Sequence, residues 1–391
     1  MRQRTLAALA LAVLASVLWS APLRAADPYD IDVLLPMTGS FSFAGQSAVS
    51  GLALIEAIVN RTGGIRGRPV HFVLHDDQSN PATAVALMSE AVAKKPAIIL
   101  GPMLGATCSA VAPLAKNGPV EYCFSPAVHP ASGSYSFTGS ISTQAYAIAF
   151  YRYFKSHGYT SFAMIASTDA SGQDADAEFE HELTLPENAG LTMVAHEHFN
   201  GNDISVAAQM ARIKAAAPQA VICYAAGTPF GTLLRGVQQA GIDLPIFTGA
   251  ANQSLAEMKQ FADVLPKELY FPGAAVLAGV ARNAKTKAAQ DRFIAAEKAT
   301  GIAPDGLTLA AWDPPFIAVD ALRAVGPTAT SEQLRRYIAG LHDYVGALGE
   351  YDFRDGSQRG LTADNIVVER WDPAKTGWVA ASDFGGGPLK K

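Results

Sequence analysis

The sequence predicts an α/β fold made of two units, each built on a parallel sheet. Three observations carry that expectation. Short apolar runs alternate with longer stretches of helical period, which is the pattern of strand, helix, strand units. The run Ala97-Ile98-Ile99-Leu100 is apolar at every position, as suits a strand covered on both faces. The alternation occurs twice, before and after residue 142, and 391 residues suffice for two units with a core each.

The first segment is a targeting signal rather than part of the fold. Arg2 and Arg4 precede an apolar run over 6–19, then small residues and Ala25-Ala26, the layout of a secretory signal peptide over 1–26. No cysteine precedes Cys108, which excludes lipid attachment at a mature N-terminal cysteine. No later run reads as long and apolar enough to span a bilayer. A soluble mature chain exported to the periplasm is expected.

The elements then follow in order. A strand over 31–35 turns at Pro36-Met37-Thr38-Gly39-Ser40 into a helix over 46–60, whose apolar face includes Val49, Leu52 and Ile55 and which Gly63-Gly64 ends. A strand over 70–74 leads to a helix through 84–93 capped by Asn80-Pro81. Gly101-Pro102 stops the 97–100 strand, and a helix through 111–116 begins near Gly105 and Thr107. A helix start leaves backbone N–H groups unpartnered and carries partial positive charge, so this turn can hold a carboxylate; it reads equally well as an ordinary strand-to-helix turn. A strand over 119–124 ends in the loop Ser125-Pro126-Ala127-Val128-His129.

The second series comprises helices over 143–156, 204–217 and 230–240, a polar turn and then a helix within 169–187, and strands over 161–166, 191–196, 220–224 and 245–248. Long helices over 285–300 and 310–325 and a shorter one over 331–341 come after 269–273. The tail, 349–356 and 365–371, reads as strand, turn, strand with Asp355-Gly356 at the turn. In sheets of this kind ligands sit beyond the carboxyl ends of the strands, and a cleft between units is a favoured place for a small molecule.

Composition narrows the function. Charged residues make up 17% and the net charge is −5, which gives no electrostatic footprint for nucleic acid or an anionic membrane. Cys108 and Cys123 lie close enough in the expected fold to bridge; buried free thiols are the default expectation, and Cys223 reads as core. The chain lacks a Gly-x-Ser-x-Gly turn, a phosphate loop ending Gly-Lys-Ser/Thr and a His-Glu-x-x-His motif, so an enzyme is not expected. No cofactor is implied.

Taken together, several segments resemble the extracytoplasmic solute-binding proteins of ATP-binding-cassette importers, specifically the branched-chain amino acid binding type. They are Pro36-Met37-Thr38-Gly39, Gly63-Gly64-Ile65-Arg66-Gly67, His75-Asp76-Asp77-Gln78-Ser79-Asn80-Pro81, Gly101-Pro102, Phe124-Ser125-Pro126-Ala127, Gln239-Ala240-Gly241-Ile242 and Tyr351-Asp352-Phe353. The resemblance covers the mature chain. It implies a type I periplasmic binding protein fold: two Rossmann-like lobes with parallel sheets and three inter-lobe crossings. Residues 27–142 plus 272–345 would form one lobe and 143–271 plus 346–391 the other. It also implies a monomer that closes on a solute and hands it to the permease subunits of the importer.

Carried over by residue, the resemblance puts the ligand carboxylate against Met103, Leu104, Gly105, Ala106 and Thr107 and against Ala127, Val128 and His129. A serine expected at Gly105 and a threonine expected near His129 are absent, with Thr107 a possible substitute. In the second lobe the acid that relatives use for an ammonium group is replaced at Ala251-Asn252, and aromatic residues expected near Ser171 and near Ala226-Gly227 are missing. An ammonium without a counter-charge is costly in a closed cleft, so an α-amino acid fits poorly. Phe41 and Phe43, on the loop after the first strand, offer an apolar wall. The expected solute is a monocarboxylate with an apolar or aromatic body; a branched-chain amino acid is the alternative, and a ligand-sensing receptor domain is another, disfavoured because the chain ends soon after the fold.

Other groups carry competing readings. His129 is either a ligand contact or a solvent-facing loop histidine. His196 and His198 share one face of a strand, but no third ligand is evident and no metal site is expected. Asp76-Asp77 reads as structural. Asp169, Asp174, Asp176 and Glu178 read as a solvated helix start.

Overall fold

The computed structural model of the chain describes residues 27–301 and 303–389; the expected signal segment lies outside the described residues. The first sheet is wholly parallel, in the order β2-β1-β3-β4-β5, from β1 (Tyr29–Leu35), β2 (Val70–Asp76), β3 (Ile98–Leu100), β4 (Val120–Cys123) and β5 (Ser136–Thr138). The helices α1 (Ser42–Arg61), α2 (Pro81–Ala93) and α3 (Gly105–Val111) connect its strands. Asn80 caps α2 by accepting from the N–H groups of Ala82 and Thr83, with Pro81 in the first turn, as the sequence signals.

The second sheet runs β14-β13-β10-β9-β8-β6-β7. Its strands are β6 (Ser161–Ser167), β7 (Thr192–Phe199), β8 (Val221–Tyr224), β9 (Ile246–Phe247), β10 (Leu269–Ala274), β13 (Ile366–Asp372) and β14 (Gly377–Phe384). Strands β6 to β10 are parallel, while β13 and β14 add antiparallel to the edge at β10. Its helices are α4 (Thr143–Ser156), α5 (Ala170–Leu183), α6 (Ala207–Ala215), α7 (Thr228–Ala240) and α8 (Leu255–Gln260). Phe150, Phe154, Phe247 and Tyr270 pack as an aromatic cluster under α4, with ring centroids 4.7 to 5.0 Å apart in the closest pairs.

Helices α9 (Ala284–Ala299), α10 (Gly306–Ala310), α11 (Asp313–Val325) and α12 (Ser331–Ala339) return to the first sheet, packing on α1 and β4. The expected 310–325 helix is α11, which starts at Asp313 with Pro314 and Pro315 in its first turn, where proline is tolerated, and the short α10 precedes it. Asp313 accepts from the N–H groups of Ala347 and Leu348 at 2.9 Å and from the Tyr351 hydroxyl at 3.0 Å, holding the small ribbon of β11 (Tyr344–Val345) and β12 (Glu350–Tyr351).

Three expectations change. Pro272 to Ala274 pair with β13 in the second sheet, so the second crossing comes after Ala274 rather than at 272. The third comes later than 345, because the Thr138 N–H donates to Gln358 O and Phe353 packs on Phe137, tying this stretch to the first sheet. Asp355-Gly356 closes a single 3-10 turn, and the tail hairpin is β13–β14 with its turn at 373–376. In addition, α1 has the length and apolar composition of a membrane span, which the sequence reading did not allow for. Its buried face, with Leu52, Ile55 and Val59, packs in the core.

Candidate functional site

The carboxyl ends of both sheets meet across a cleft. From the first sheet come Phe41, Met103, Leu104, Gly105 and Ala127; from the second come Ser171, Tyr224, Ala226 and Ala251. A second, adjoining cavity shares Phe41, Met103, Pro126 and Ala251 with it and extends between Tyr146, Leu307, Leu309 and Leu348. Among the described residues lining either cavity there is no Asp, Glu, Lys, Arg or His.

The first-sheet loops are held in place by a covalent bond. Cys108 and Cys123 form a disulfide, with an S–S distance of 2.07 Å, which corrects the default expectation of free thiols. Parallel pairing of β3 with β4 sets their carboxyl ends side by side, bringing the first turn of α3 over the end of β4. Cys223 is buried and free, as expected of core, and its thiol is pushed up to about 12 by that burial. The Cys123 sulfur also accepts from the Ser125 N–H at 3.2 Å, and the Thr138 hydroxyl donates to Ser125 O at 2.8 Å. At the start of α3, Leu104 supplies no side-chain cap, so the first-turn N–H groups stay available to another acceptor. Gly105 keeps this approach open: a Cβ there would stand 3.0 Å from the Ala127 Cβ and 3.4 Å from the Ser171 Oγ.

The sequence-predicted site residues divide. Phe41, Met103, Leu104, Gly105, Ala127 and Ser171 line the cleft. Phe43 does not, because α1 begins at Ser42 and carries it in its first turn, packed edge to face on Phe41 at 5.2 Å. Ala106 is not in the lining, and Thr107 is buried with its hydroxyl donating to Leu104 O at 3.0 Å, so it does not substitute for the missing serine. Gly227 is a contact between lobes: its φ is 76°, and a Cβ would come within 2.5 Å of Ser40 O. Asn252 is buried behind Ala251, donating to Ala225 O and to the Thr248 hydroxyl, both at 2.7 Å.

Val128 and His129 line a separate outer groove instead of the cleft. His129 reaches across to α5, its Nε2 lying 2.5 Å from Asp174 Oδ1 and 3.5 Å from Glu178 Oε1. The Asp174 contact holds the imidazole pKa above its ordinary value, against the opposing effect of burial. Of the acidic run, Asp169 caps the start of α5 by accepting from the Ser171 and Gly172 N–H groups, as a helix start should, while Asp174 and Glu178 face His129. Asp77 is pushed up to about 6 by its own burial and sits in the turn before α2 with Ser79, a structural place.

Sequence reasoning missed Arg359. Its guanidinium is buried and donates to Ser140 O, to Val128 O at 2.6 Å and to Pro126 O at 3.3 Å. Burial lowers its pKa to about 10, which leaves it charged at neutral pH. It places a positive charge directly behind the 125–129 loop. No sequence signal marked it, since it lies more than 200 residues from the loop it braces. Tyr146 and Tyr224, also missed, add hydroxyl-bearing rings to the lining.

Comparison with known proteins yields consistent matches. Residues 28–376 match the family model described as periplasmic binding protein. A leucine-, isoleucine-, valine-, threonine- and alanine-binding protein of Pseudomonas aeruginosa is 23% identical over 224 residues, 56% of this chain; the match spans 59% of that relative's length. A leucine binding protein of Thermotoga maritima superposes with a TM-score of 0.78 at 18% identity, covering 90% of this chain and 97% of its own. A solute binding protein of an ABC transporter from Rhodopseudomonas palustris, in complex with benzoate, gives 0.73 at 18%, covering 93% and 98%. At these identities the structures establish the type I fold.

Proposed function

The chain belongs to the periplasmic binding protein family, and from that premise we propose that it captures an organic monocarboxylate with an apolar or aromatic body for an ATP-binding-cassette importer. The observation that carries this reading is a cleft whose described lining residues include no charged side chain and no histidine. An α-amino acid enclosed there would leave its ammonium without a counter-charge, at a cost of several kcal/mol. A carboxylate is better served by the start of α3 at Leu104 and Gly105, the hydroxyl of Ser171 and the charge of Arg359 behind Pro126 and Val128. The apolar side chains of Phe41, Met103 and Leu307 supply a wall against which the body of the solute packs.

The Rhodopseudomonas neighbour with benzoate supports an aromatic acid. The Pseudomonas relative keeps a branched-chain amino acid as the second reading. In either case the protein is a binding protein rather than an enzyme, works outside the cytoplasm after removal of 1–26, and delivers its solute as a monomer to permease subunits. Closure brings the two lobes together at Gly227 and Ser40 and at His129 and Asp174. A thermal-shift screen tests the proposal, because a ligand of the folded chain raises its melting temperature. Benzoate-type and apolar monocarboxylates should raise it; a rise confined to leucine, isoleucine and valine would overturn the proposal.

A further inference from the structure

On α5, Asp174, Asp176, Glu178 and Glu180 alternate. A step of two places neighbours on opposite sides of a helix, while a step of four stacks them on one side. Asp174 and Glu178 accordingly meet His129, and Asp176 and Glu180 meet His196 on the far side. His196 and His198 stand two apart on β7, the edge strand, and so project from one face. We propose that Asp176, His196 and His198 form a binding site for a divalent transition-metal ion of the Zn²⁺ type.

The geometry is that of three donors converging on one point. Asp176 Oδ1 lies 2.7 Å from His196 Nε2, and Asp176 Oδ2 lies 2.7 Å from His198 Nε2. The three ligand atoms lie within 4.8 Å of one another. Metal bonds of about 2.0–2.2 Å at a tetrahedral angle separate ligand atoms by roughly 3.4 Å, inside that span. Without an ion, both imidazoles must carry a proton on Nε2 to satisfy one carboxylate. His196 Nδ1 lies 3.1 Å from Glu180 Oε1, so both of its ring nitrogens face carboxylate oxygens, and the two rings are only 4.6 Å apart. A single divalent ion replaces the two facing protons and takes all three lone pairs.

Glu180 then has a defined part. By accepting the Nδ1–H of His196 it fixes the tautomer that leaves Nε2 free to bind, the outer contact that ligating histidines characteristically have. Two imidazoles and one carboxylate favour Zn²⁺, Ni²⁺ or Cu²⁺ over Mg²⁺ or Ca²⁺, and three protein ligands leave a fourth position for water. His198, 45% exposed, lets an ion enter from solvent. The parallel cluster around His129 offers a single imidazole and is the weaker donor set.

The test uses the mature chain, stripped with chelator, and Zn²⁺ alone in a calorimetric titration near neutral pH, with Co²⁺ as a spectroscopic reporter. One ion should bind per chain, Co²⁺ should develop the visible absorption of a four-coordinate site, and an excess of Zn²⁺ a hundred times the dissociation constant should raise the melting temperature by about 4 °C. His196→Ala and His198→Ala should each weaken binding at least about tenfold. Asp176→Asn, which preserves the shape of the side chain, should do the same while circular dichroism stays that of the folded chain. Absence of saturable Zn²⁺ binding, or binding undiminished in Asp176→Asn and in His198→Ala, would overturn the proposal.

Discussion

Reducing the Cys108–Cys123 disulfide should cost the protein both stability and solute affinity. The bond closes a sequence separation of 15 residues, and a loop of that length restricts the unfolded chain by about 3 kcal/mol. Unfolding entropy near the midpoint is about 2.1 cal/mol/K per residue, or roughly 0.75 kcal/mol/K over about 360 residues, so the melting temperature should fall by about 4 °C. The functional effect follows from what the bond joins. It fixes the first turn of α3 to the end of β4, and the loops leaving these two elements supply Leu104, Gly105 and Ala127 to the cleft. If reduction frees even one backbone residue of these loops, ordering it again on binding costs about 1 kcal/mol, a roughly fivefold loss of affinity. Differential scanning calorimetry and ligand titration on oxidised and reduced protein read both quantities, with thiol counting to verify the state of the cysteines. A midpoint unchanged within about 1 °C on full reduction would refute the loop-closure reasoning. An unchanged affinity would refute the link to the site.

Further outcomes are open to measurement. Ala251→Asp places a carboxylate on the shared wall of both cavities, so leucine affinity should rise by about 1.5–3 kcal/mol and benzoate affinity should fall, read by calorimetry; an unchanged ratio would refute the counter-charge argument. Glu121 is buried and its pKa is pushed up to about 7 from an ordinary 4.5. Its folded pKa is the higher one, so its contribution is whole below pH 4.5 and is lost as pH rises through 7, a change of about 3 kcal/mol; Glu121→Gln should flatten that stretch of the stability profile. His129, with its raised pKa, should likewise favour the closed pairing with Asp174 at lower pH and lose it as pH rises. Because the imidazole is half exposed the effect should stay below about 1 kcal/mol, and solute titrations of His129→Gln across pH should show it removed.

The fold was legible because its signals are local. Apolar runs such as Ile98-Ile99-Leu100 and the Asn80-Pro81 start are each read within a few residues, and the resemblance of segments in order supplied the lobes. The start of α1 was misplaced because Phe41 at its N-cap supplies no side-chain hydrogen bond, so nothing in the sequence marks Ser42 as helical. Half of the cleft was legible through the resemblance, which put Met103, Leu104, Gly105 and Ala127 at the ligand; they sit just past strand ends, where parallel sheets present their loops. What escaped depends on contacts distant in sequence. Arg359 meets the loop it braces only through the third crossing, and His129 meets Asp174 45 residues away. The third donor beside His196 and His198 was hidden similarly, since Asp176 precedes them on a different element. The i, i+4 spacing of the α5 acids was visible, yet spacing alone does not say which faces are solvated.

The proposed selectivity rests on an acid-accepting cleft that offers an amine nothing, and a paired calorimetric titration of the purified mature chain with benzoate and with leucine tests it most directly. Benzoate should bind with a dissociation constant in the micromolar range or tighter, and leucine should give no saturable heat. Tight leucine binding alongside silence from benzoate would contradict the account.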